Sequence, residues 1–395
     1  MTYHSDPILL IYRFKRSDSI MEKRHRRSGT GPIRVGIIGA GNWARHGHLP
    51  VLGQSDAYEV VAVQSRRRHV AEQVAKEFEI RHVASTAQEL AEHPQVDLVL
   101  VTTTAPQHEE GIRAAVAADK DVYSEWPLTT SAEKAEELAA LVKTSGVKHV
   151  VGLQRRLAPH NRYLQQLLAQ GYVGTVRSVR MHVSVDYFHR TLPQSLYWTV
   201  PPENFSSVIA IYAGHFLDML FHAIGRPSQA TGLMVNQFDT VTIEETGERL
   251  RTSNPDQLVL AGTIGDHAVI SVHLEGGKRN GSGVQIDITG DAGDLRITND
   301  SAFGGVGDDY VVTGAQGGAG RLQSLEVPPG LHPIFAKGLP SSVAELAGLY
   351  AAFAQDLAEG TETAPTFDDA VWMHRFLQDV EYSSRSGQRV TVPGV

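Results

Sequence analysis

Ile33-Arg-Val-Gly-Ile-Ile-Gly39-Ala-Gly41-Asn-Trp-Ala44 is the stretch on which the reading of this chain turns. It opens on a short β-branched run and ends in a segment of helical spacing that continues to about Leu52. Between them, Gly39 permits a tight turn, Gly41 lets the backbone approach a pyrophosphate, and the small Ala44 lets the helix pack closely on the strand. The helix start adds unpaired N–H groups and a partial positive charge, both suited to phosphate. Glycine turns are common, and the context gives this one its meaning. A second strand follows at Tyr58–Val63, then helix 68–78, strand 97–102, helix 109–118, strand 121–124, helix 131–144 and strand 148–152. That alternation predicts an α/β domain, a doubly wound parallel sheet that binds a dinucleotide. Gly39, Gly41, Asn42 and Trp43 are the expected first contacts.

The length of 395 residues predicts two domains, and 42% hydrophobic with 20% charged residues suits packed cores. The formal charge of −8 is spread along the chain, so no basic footprint for nucleic acid is visible. There are no cysteines, which removes disulfides, thiolate nucleophiles and cysteine-ligated zinc, and no metal site is expected. Residues 1–31 read as a disordered tail. Pro7–Tyr12 is far shorter than the roughly 20 residues a membrane helix needs. The basic run Lys23–Arg27 follows the apolar stretch, the reverse of a secretory signal. Met21 stands as an alternative start, and a cytoplasmic location with no membrane association is the expectation.

An acid at the end of the second strand would hold a ribose 2′-hydroxyl and repel a 2′-phosphate. Here that place is taken by Gln64-Ser65, followed by Arg66, Arg67 and Arg68. A hydroxyl and guanidinium groups suit phosphate, and unpartnered cations at a helix start oppose its dipole. NADP(H) is therefore expected over NAD(H), against the plainer reading of a solvated helix start. Thr102-Thr-Thr-Ala-Pro106 closes the next strand of the sheet at its carboxyl edge. Thr104, Pro106 and His108 are candidate cofactor contacts there, a surface role for His108 staying open.

The chain resembles the Gfo/Idh/MocA oxidoreductases. The points of resemblance are Gly39-Ala-Gly41 with His48-Leu-Pro50, the Thr-x-Pro loop, Glu125-x-Pro127, Gly152-Leu-Gln-Arg-Arg156 with Pro159, Gly171-x-x-Gly174, Asp218-x-x-x-His222 and Tyr382–Gly387. In motif it is closest to the branch that includes the NADP-binding galactose-regulon repressor. The resemblance implies a Rossmann domain over 32–152 and, over 153–395, an α+β domain with a large, mostly antiparallel sheet. One face of that sheet would build the substrate pocket, the other a homo-oligomer interface. The sequence agrees: Thr175–Tyr187 alternates, Leu258–Ile264 and His267–His273 form a hairpin around Gly265-Asp266, and 284–290 and 295–299 follow. Residues 341–360 and 367–384 have helical spacing, and the Gly-rich 304–320 reads as a mobile loop.

In catalytic members of the family a Lys stands between the Glu and the Pro and meets the Asp and His of Asp-x-x-x-His at the nicotinamide. Asp218 and His222, four apart, share a helix face. His222 would take the hydroxyl proton with Asp218 as orienter, unless the two are an ordinary helical pair. His215, one turn earlier, is a further polar candidate. Where the Lys should be, this chain has Trp126, which brings no charge and a single N–H; its flat face could stack on a nicotinamide or sugar ring. Glu125, Trp126 and Pro127 are expected at the cofactor, and Arg156, Tyr197, Trp198 and Asn204 at the substrate. Two readings stay open: an NADP-dependent dehydrogenase of a sugar or polyol, or a non-catalytic NADP-binding sensor or transcriptional co-regulator.

Overall fold

The computed structural model describes residues 31–392 except 266, 282, 305–309, 319 and 334; the expected disordered tail, but for Gly31, lies outside them. The first half follows the pattern read from its glycine turn. Strand β1 (Ile33–Ile38) leads through a π-helical turn, Ala44–His48, into α1 (Leu49–Leu52). Next come β2 (Tyr58–Gln64), α2 (Arg68–Glu77), β3 (His82–Ala84), α3 (Ala87–Glu92), β4 (Leu98–Val101), α4 (His108–Ala117), β5 (Asp121–Glu125), α5 (Ala132–Ser145) and β6 (His149–Gly152). The six strands are parallel, in the order β3-β2-β1-β4-β5-β6. The order reverses between β1 and β4, which opens a crevice beyond their carboxyl ends.

The second half contains α6 (Pro159–Ala169), β7 (Val176–Ser184), β8 (Thr191–Leu192), α7 (Gly214–Ile224), β9 (Pro227–Val235), β10 (Thr240–Ile243) and β11 (Arg249–Arg251). It continues through β12 (Gln257–Ile264), β13 (Ala268–Glu275), β14 (Gly283–Gly290), β15 (Gly293–Asn299), β16 (Val311–Gln316), β17 (Gln323–Ser324), α8 (Ser341–Glu359), α9 (Phe367–Ser386) and β18 (Val390–Thr391). Nine strands make one sheet, β17-β16-β15-β14-β7-β13-β12-β9-β18, antiparallel except where β7 meets β13. The expected hairpin is β12–β13. A small sheet, β11-β10-β8, stands beside it. The loop expected over 304–320 needs correction: its middle is β16, whose Val312 turns into the core while Val311 is exposed, the alternation of a half-buried strand.

Apolar faces join the two halves. Helix α8 crosses back to the first sheet, burying Leu346, Leu349, Tyr350 and Phe353 with Ile37, Leu52 and Leu98. Pro202–Ile224 is long and apolar enough for a membrane span, but 72% of its apolar window is buried inside the protein; it is the core segment that holds α7. On α7, Asp218 faces inward and meets Arg156. The guanidinium Nε donates to Asp218 Oδ2 at 2.9 Å, Nη2 donates to Oδ1, and Nη1 donates to Asp369 Oδ2 at 3.1 Å. Burial opposes the charge on Arg156, yet the two carboxylates outweigh it and hold its pKa above the ordinary value. Arg226 donates to the other oxygen of Asp369, so the network ties the end of β6 to α7 and α9. Arg156→Ala would strand a buried carboxylate and should cost about 3–5 kcal/mol in urea unfolding; Asp218→Asn with Arg156→Met should recover part of that loss.

Candidate functional site

Gly39 sits at the carboxyl end of β1 with φ +104°, a conformation that favours glycine. Its N–H donates to Gln64 O at 2.9 Å, and Thr102 Oγ1 donates to its carbonyl at 2.6 Å. A Cβ there would come within 2.9 Å of the Thr102 and Thr103 backbone. Gly41, by contrast, is exposed and a Cβ on it would meet nothing within 4 Å. Asn42, exposed, and Trp43, part-exposed, begin the helix. A closed turn with an open glycine at a helix start fits a dinucleotide pyrophosphate. Beyond β2, Ser65 is part-exposed and Arg66 and Arg67 are exposed, with no ion pair among the described residues. Arg68 is held instead by Glu72 and Ser85.

At the end of β5 the sequence turns inward. Glu125 is 8% exposed. Its Oε1 accepts from Tyr123 Oη at 2.8 Å and lies 3.0 Å from His48 Nε2. His48, fully buried, reaches Tyr350 Oη through Nδ1 at 2.7 Å. The one ring thus spans both groups, with Nδ1 on the Tyr350 hydroxyl and Nε2 facing the carboxylate. Burial pushes the Glu125 pKa up, but His48 and Tyr123 outweigh it and hold it below the ordinary value. Glu125 therefore stays an anion under the site.

Trp126 is 5% exposed. Its Nε1 donates to Ala210 O at 2.9 Å, inside the π-helical turn Ile209–Ala213, and its ring packs 4.7 Å from His374, on which Phe205 also stacks. A Cβ on Gly214 would collide with the indole. The expected stacking on a nicotinamide is corrected: a ring so enclosed, with its one donor spent, has little surface to give. Pro127 is buried behind it through a cis peptide bond. His108 is 1% exposed; its ring nitrogens face Leu128 O and Thr103 O, at 3.2 and 2.8 Å, so it fastens the loops after β4 and β5 instead of reaching a cofactor. Thr104 and Pro106 keep surface at the crevice.

A second imidazole that feels the Glu125 charge is His215 on α7. Its Nδ1 is buried without a partner among the described residues. Burial first, then the Arg155 charge, lower its pKa to about 3 against the pull of Glu125. It is neutral at physiological pH and can accept a proton. His222 is two turns away, exposed near Arg156 and Arg226, and Asp218 is consumed by Arg156. The expected Asp218–His222 pair is thus not brought to the crevice. Counting the same spacing back from His215 gives Ile211. Arg156, 6% exposed and doubly paired, is structural rather than a substrate contact. Tyr197 is exposed and Trp198 part-exposed, while Asn204 Nδ2 donates to Trp198 O at 2.8 Å, holding its own loop.

Sequence reasoning missed Arg155 and Glu345. Arg155 Nη1 donates to Glu345 Oε1 at 3.3 Å, Nη2 donates to Ala302 O at 2.8 Å, and the guanidinium lies 4.5 Å from the Phe216 ring centre. Glu345, 4% exposed, has its carboxyl pushed up to about 7 by burial, against the pull of Arg155. A signal was present: Arg155 and Arg156 occupy a 3-10 turn, Gln154–Leu157, where successive side chains diverge by about 120°. One arginine had to face the crevice side and one the Asp218 side.

Two outcomes follow from this geometry. Gly41→Ala should leave the thermal midpoint of the protein unchanged and weaken dinucleotide binding by at least ~10-fold, about 1.4 kcal/mol by titration calorimetry. The raised Glu345 carboxyl stabilises the fold fully below the unfolded carboxyl range, near ~4.3. That contribution is lost as pH rises to about 7. Urea midpoints should fall across that window, and Glu345→Gln should flatten the fall.

The family described as an oxidoreductase family with an NAD-binding Rossmann fold matches residues 33–153. The C-terminal domain of Gal80p matches residues 159–299. Dehydrogenase aclE of Aspergillus oryzae is 28% identical over 284 residues, 68% of this chain and 77% of that protein. The galactose/lactose metabolism regulatory protein GAL80 of Saccharomyces cerevisiae is 24% identical over 295 residues, 69% of this chain and 68% of that one. Among solved structures, levoglucosan dehydrogenase in complex with NADH and levoglucosan has a TM-score of 0.80 at 19% identity, covering 92% of this chain and 100% of that one. At that identity the likeness speaks of the fold alone. With an NAD-binding Rossmann half and a Gal80p-like second half, the chain belongs to the Gfo/Idh/MocA oxidoreductase family, near its Gal80 branch.

Proposed function

We propose that this protein is an NADP-dependent dehydrogenase or reductase acting on a hydroxyl or carbonyl of a sugar or polyol, with His215 as its proton acceptor. The observation that carries the reading is the unpartnered Nδ1 of a neutral His215 beside the Glu125 carboxylate. Gly39, Gly41, Asn42 and Trp43 would hold the pyrophosphate side of the dinucleotide. Ser65, Arg66 and Arg67 would meet its 2′-phosphate, and Thr104 and Pro106 would border it across the crevice. The nicotinamide, when bound, supplies the hydride acceptor or donor. His215 takes the substrate hydroxyl proton on Nδ1, Glu125 stabilises the imidazolium that results, and Arg155 supplies positive charge near the nascent carbonyl oxygen. The cofactor half ends at Gly152 and the substrate half begins at residue 153. Exposed Leu233, Val235, Val259 and Val269 on the outer sheet face favour a homo-oligomer through that face, in the cytoplasm.

A second reading is favoured by one observation, the burial of Trp126 where catalytic relatives carry Lys. In it the chain senses NADP(H) and a sugar without turnover. The two separate in an absorbance assay for reduced nicotinamide across a panel of sugars and polyols. The dehydrogenase reading expects turnover that falls at least ~100-fold in His215→Asn and survives His222→Ala. Tight NADP+ binding with no turnover on the panel, and no reverse reaction on the matching ketoses, would favour the sensor. Arg66→Ala and Arg67→Ala should each weaken NADP+ by about 10-fold, roughly 1.4 kcal/mol, and leave NAD+ nearly unchanged. Equal loss of both dinucleotides would remove the 2′-phosphate assignment.

A further inference from the structure

Residues 276–282 join β13 to β14, and hydrogen bonds pin this connection on both sides. Gly277 N donates to Tyr187 O at 2.6 Å and Lys278 N donates to Val185 O at 2.9 Å. On the far side, Gly283 N donates to Ser184 Oγ at 3.0 Å. Between the pins lie Arg279, Asn280 and Gly281, all exposed. Among the described residues, neither the Asn280 side chain nor the Gly281 N–H has a hydrogen-bond partner. Gly281 has φ +65°, and a Cβ on it would meet nothing within 4 Å.

An asparagine carries an electrophile within reach of its own chain. The main-chain nitrogen of the next residue can attack Cγ of the side-chain amide and close a succinimide ring. Closure is favoured by a successor with no Cβ to crowd the approach, by an N–H not committed elsewhere, and by an amide free to turn. Of the seven asparagines in the chain, only Asn280 precedes a glycine. The others are held or blocked. Asn161 Nδ2 donates to Arg156 O, Asn204 Nδ2 to Trp198 O, and Asn236 Nδ2 to Thr252 O. Asn254 Nδ2 donates to Thr199 O, and its successor is Pro255, whose nitrogen carries no hydrogen. Asn299 Oδ1 accepts from Ser301 N at 2.8 Å. Asn42 is exposed, but it lies in a helical turn and precedes Trp43.

We propose that Asn280 is a modification site, converting without a catalyst to aspartate and isoaspartate. Gly281 N bonds to Asn280 Cγ, the bond from Cγ to the amide nitrogen breaks, and that nitrogen leaves as ammonia with the Gly281 proton. Water then opens the ring at either carbonyl. One opening gives aspartate; the other gives isoaspartate, whose main chain runs through the side-chain carbon. Nothing is oxidised or reduced. Arg279, exposed and without an ion pair among the described residues, favours the anionic nitrogen that attacks and the carboxylate that results. The pins at Lys278 and Gly283 confine the change to the connection, so the converted chain keeps its fold and gains one negative charge. An isoaspartate at this exposed place is the group that a repair methyltransferase takes as substrate. The site is independent of the function proposed for the Glu125 crevice.

The test is peptide mass spectrometry on the full chain, held at physiological temperature in mildly alkaline buffer. The peptide containing Asn280 should acquire the amide-to-acid mass difference at least ~10-fold faster than any other asparagine, with aspartate and isoaspartate resolved by chromatography. An isoaspartyl methyltransferase with a labelled methyl donor should mark that same peptide. Gly281→Ala should slow the conversion by ~10-fold or more, and Asn280→Gln should remove it. Urea should leave the Asn280 rate nearly unchanged, because the native connection already lets the ring close. An intact amide at Asn280, faster conversion at another asparagine, an unchanged rate in Gly281→Ala, or a ~10-fold acceleration in urea overturns the proposal.

Discussion

The structure of the crevice depends on one buried anion. Glu125 sits at the last position of β5, where a sheet of this topology presents its ligands, and its charge survives burial because His48 and Tyr123 both serve it. A lone buried carboxylate would neutralise itself. Here three elements converge to prevent that: the helix after the glycine turn brings His48, the strand brings Tyr123, and α8 brings Tyr350 to orient the imidazole. Gly152 leaves the room, since a Cβ there would lie 2.6 Å from Glu125 Oε1. The constraint explains why α8, late in sequence, must return to the first sheet.

The fold was legible because its cues are local. A glycine turn between a β-branched run and a helix, followed by repeated strand–helix alternation, constrains a parallel sheet strongly. The strand inside 304–320 was not legible, because glycine composition masks a pairing that is set by β15 across the sheet. The small sheet was missed for the same reason: its strands of two to four residues take their identity from neighbours far away in sequence.

The site was legible in part, and the miss along α7 has a geometric cause. His215, Asp218 and His222 fall at i, i+3 and i+7, so helical periodicity puts all three on one stripe. Periodicity says nothing of position along the axis, where seven residues span about 10 Å at 1.5 Å each. One stripe therefore meets three environments in turn: the Glu125 crevice, the Arg156 network, and solvent. The motif Asp-x-x-x-His matched at Asp218 and His222 by spacing, one helical stretch beyond the place that faces the crevice. Only the partners of each side chain separate the alternatives, and those partners lie in β5, the turn after β6, and α9.

Where the family resemblance implies a lysine this chain has Trp126, and that bears on what the crevice can do as well as on what it contains. Lysine offers a positive charge and an exchangeable proton at one atom. In this chain those two properties are divided. The charge near His215 comes from Arg155, which is fixed by Glu345 and Ala302 and cannot give up its proton near neutrality. In the proposed reading the proton goes to His215, kept neutral by burial first and by Arg155 next, with Glu125 favouring the charged form. Trp126 meanwhile closes the π-helical turn by donating to Ala210 and so holds in place the segment from which His215 projects. In the proposed reading the crevice keeps electrostatic stabilisation and one base, without a lysine to join the two roles. Under the proposed dehydrogenase reading, chemistry runs through an imidazole whose basicity is lowered first by burial and then tuned by the two opposite charges near it.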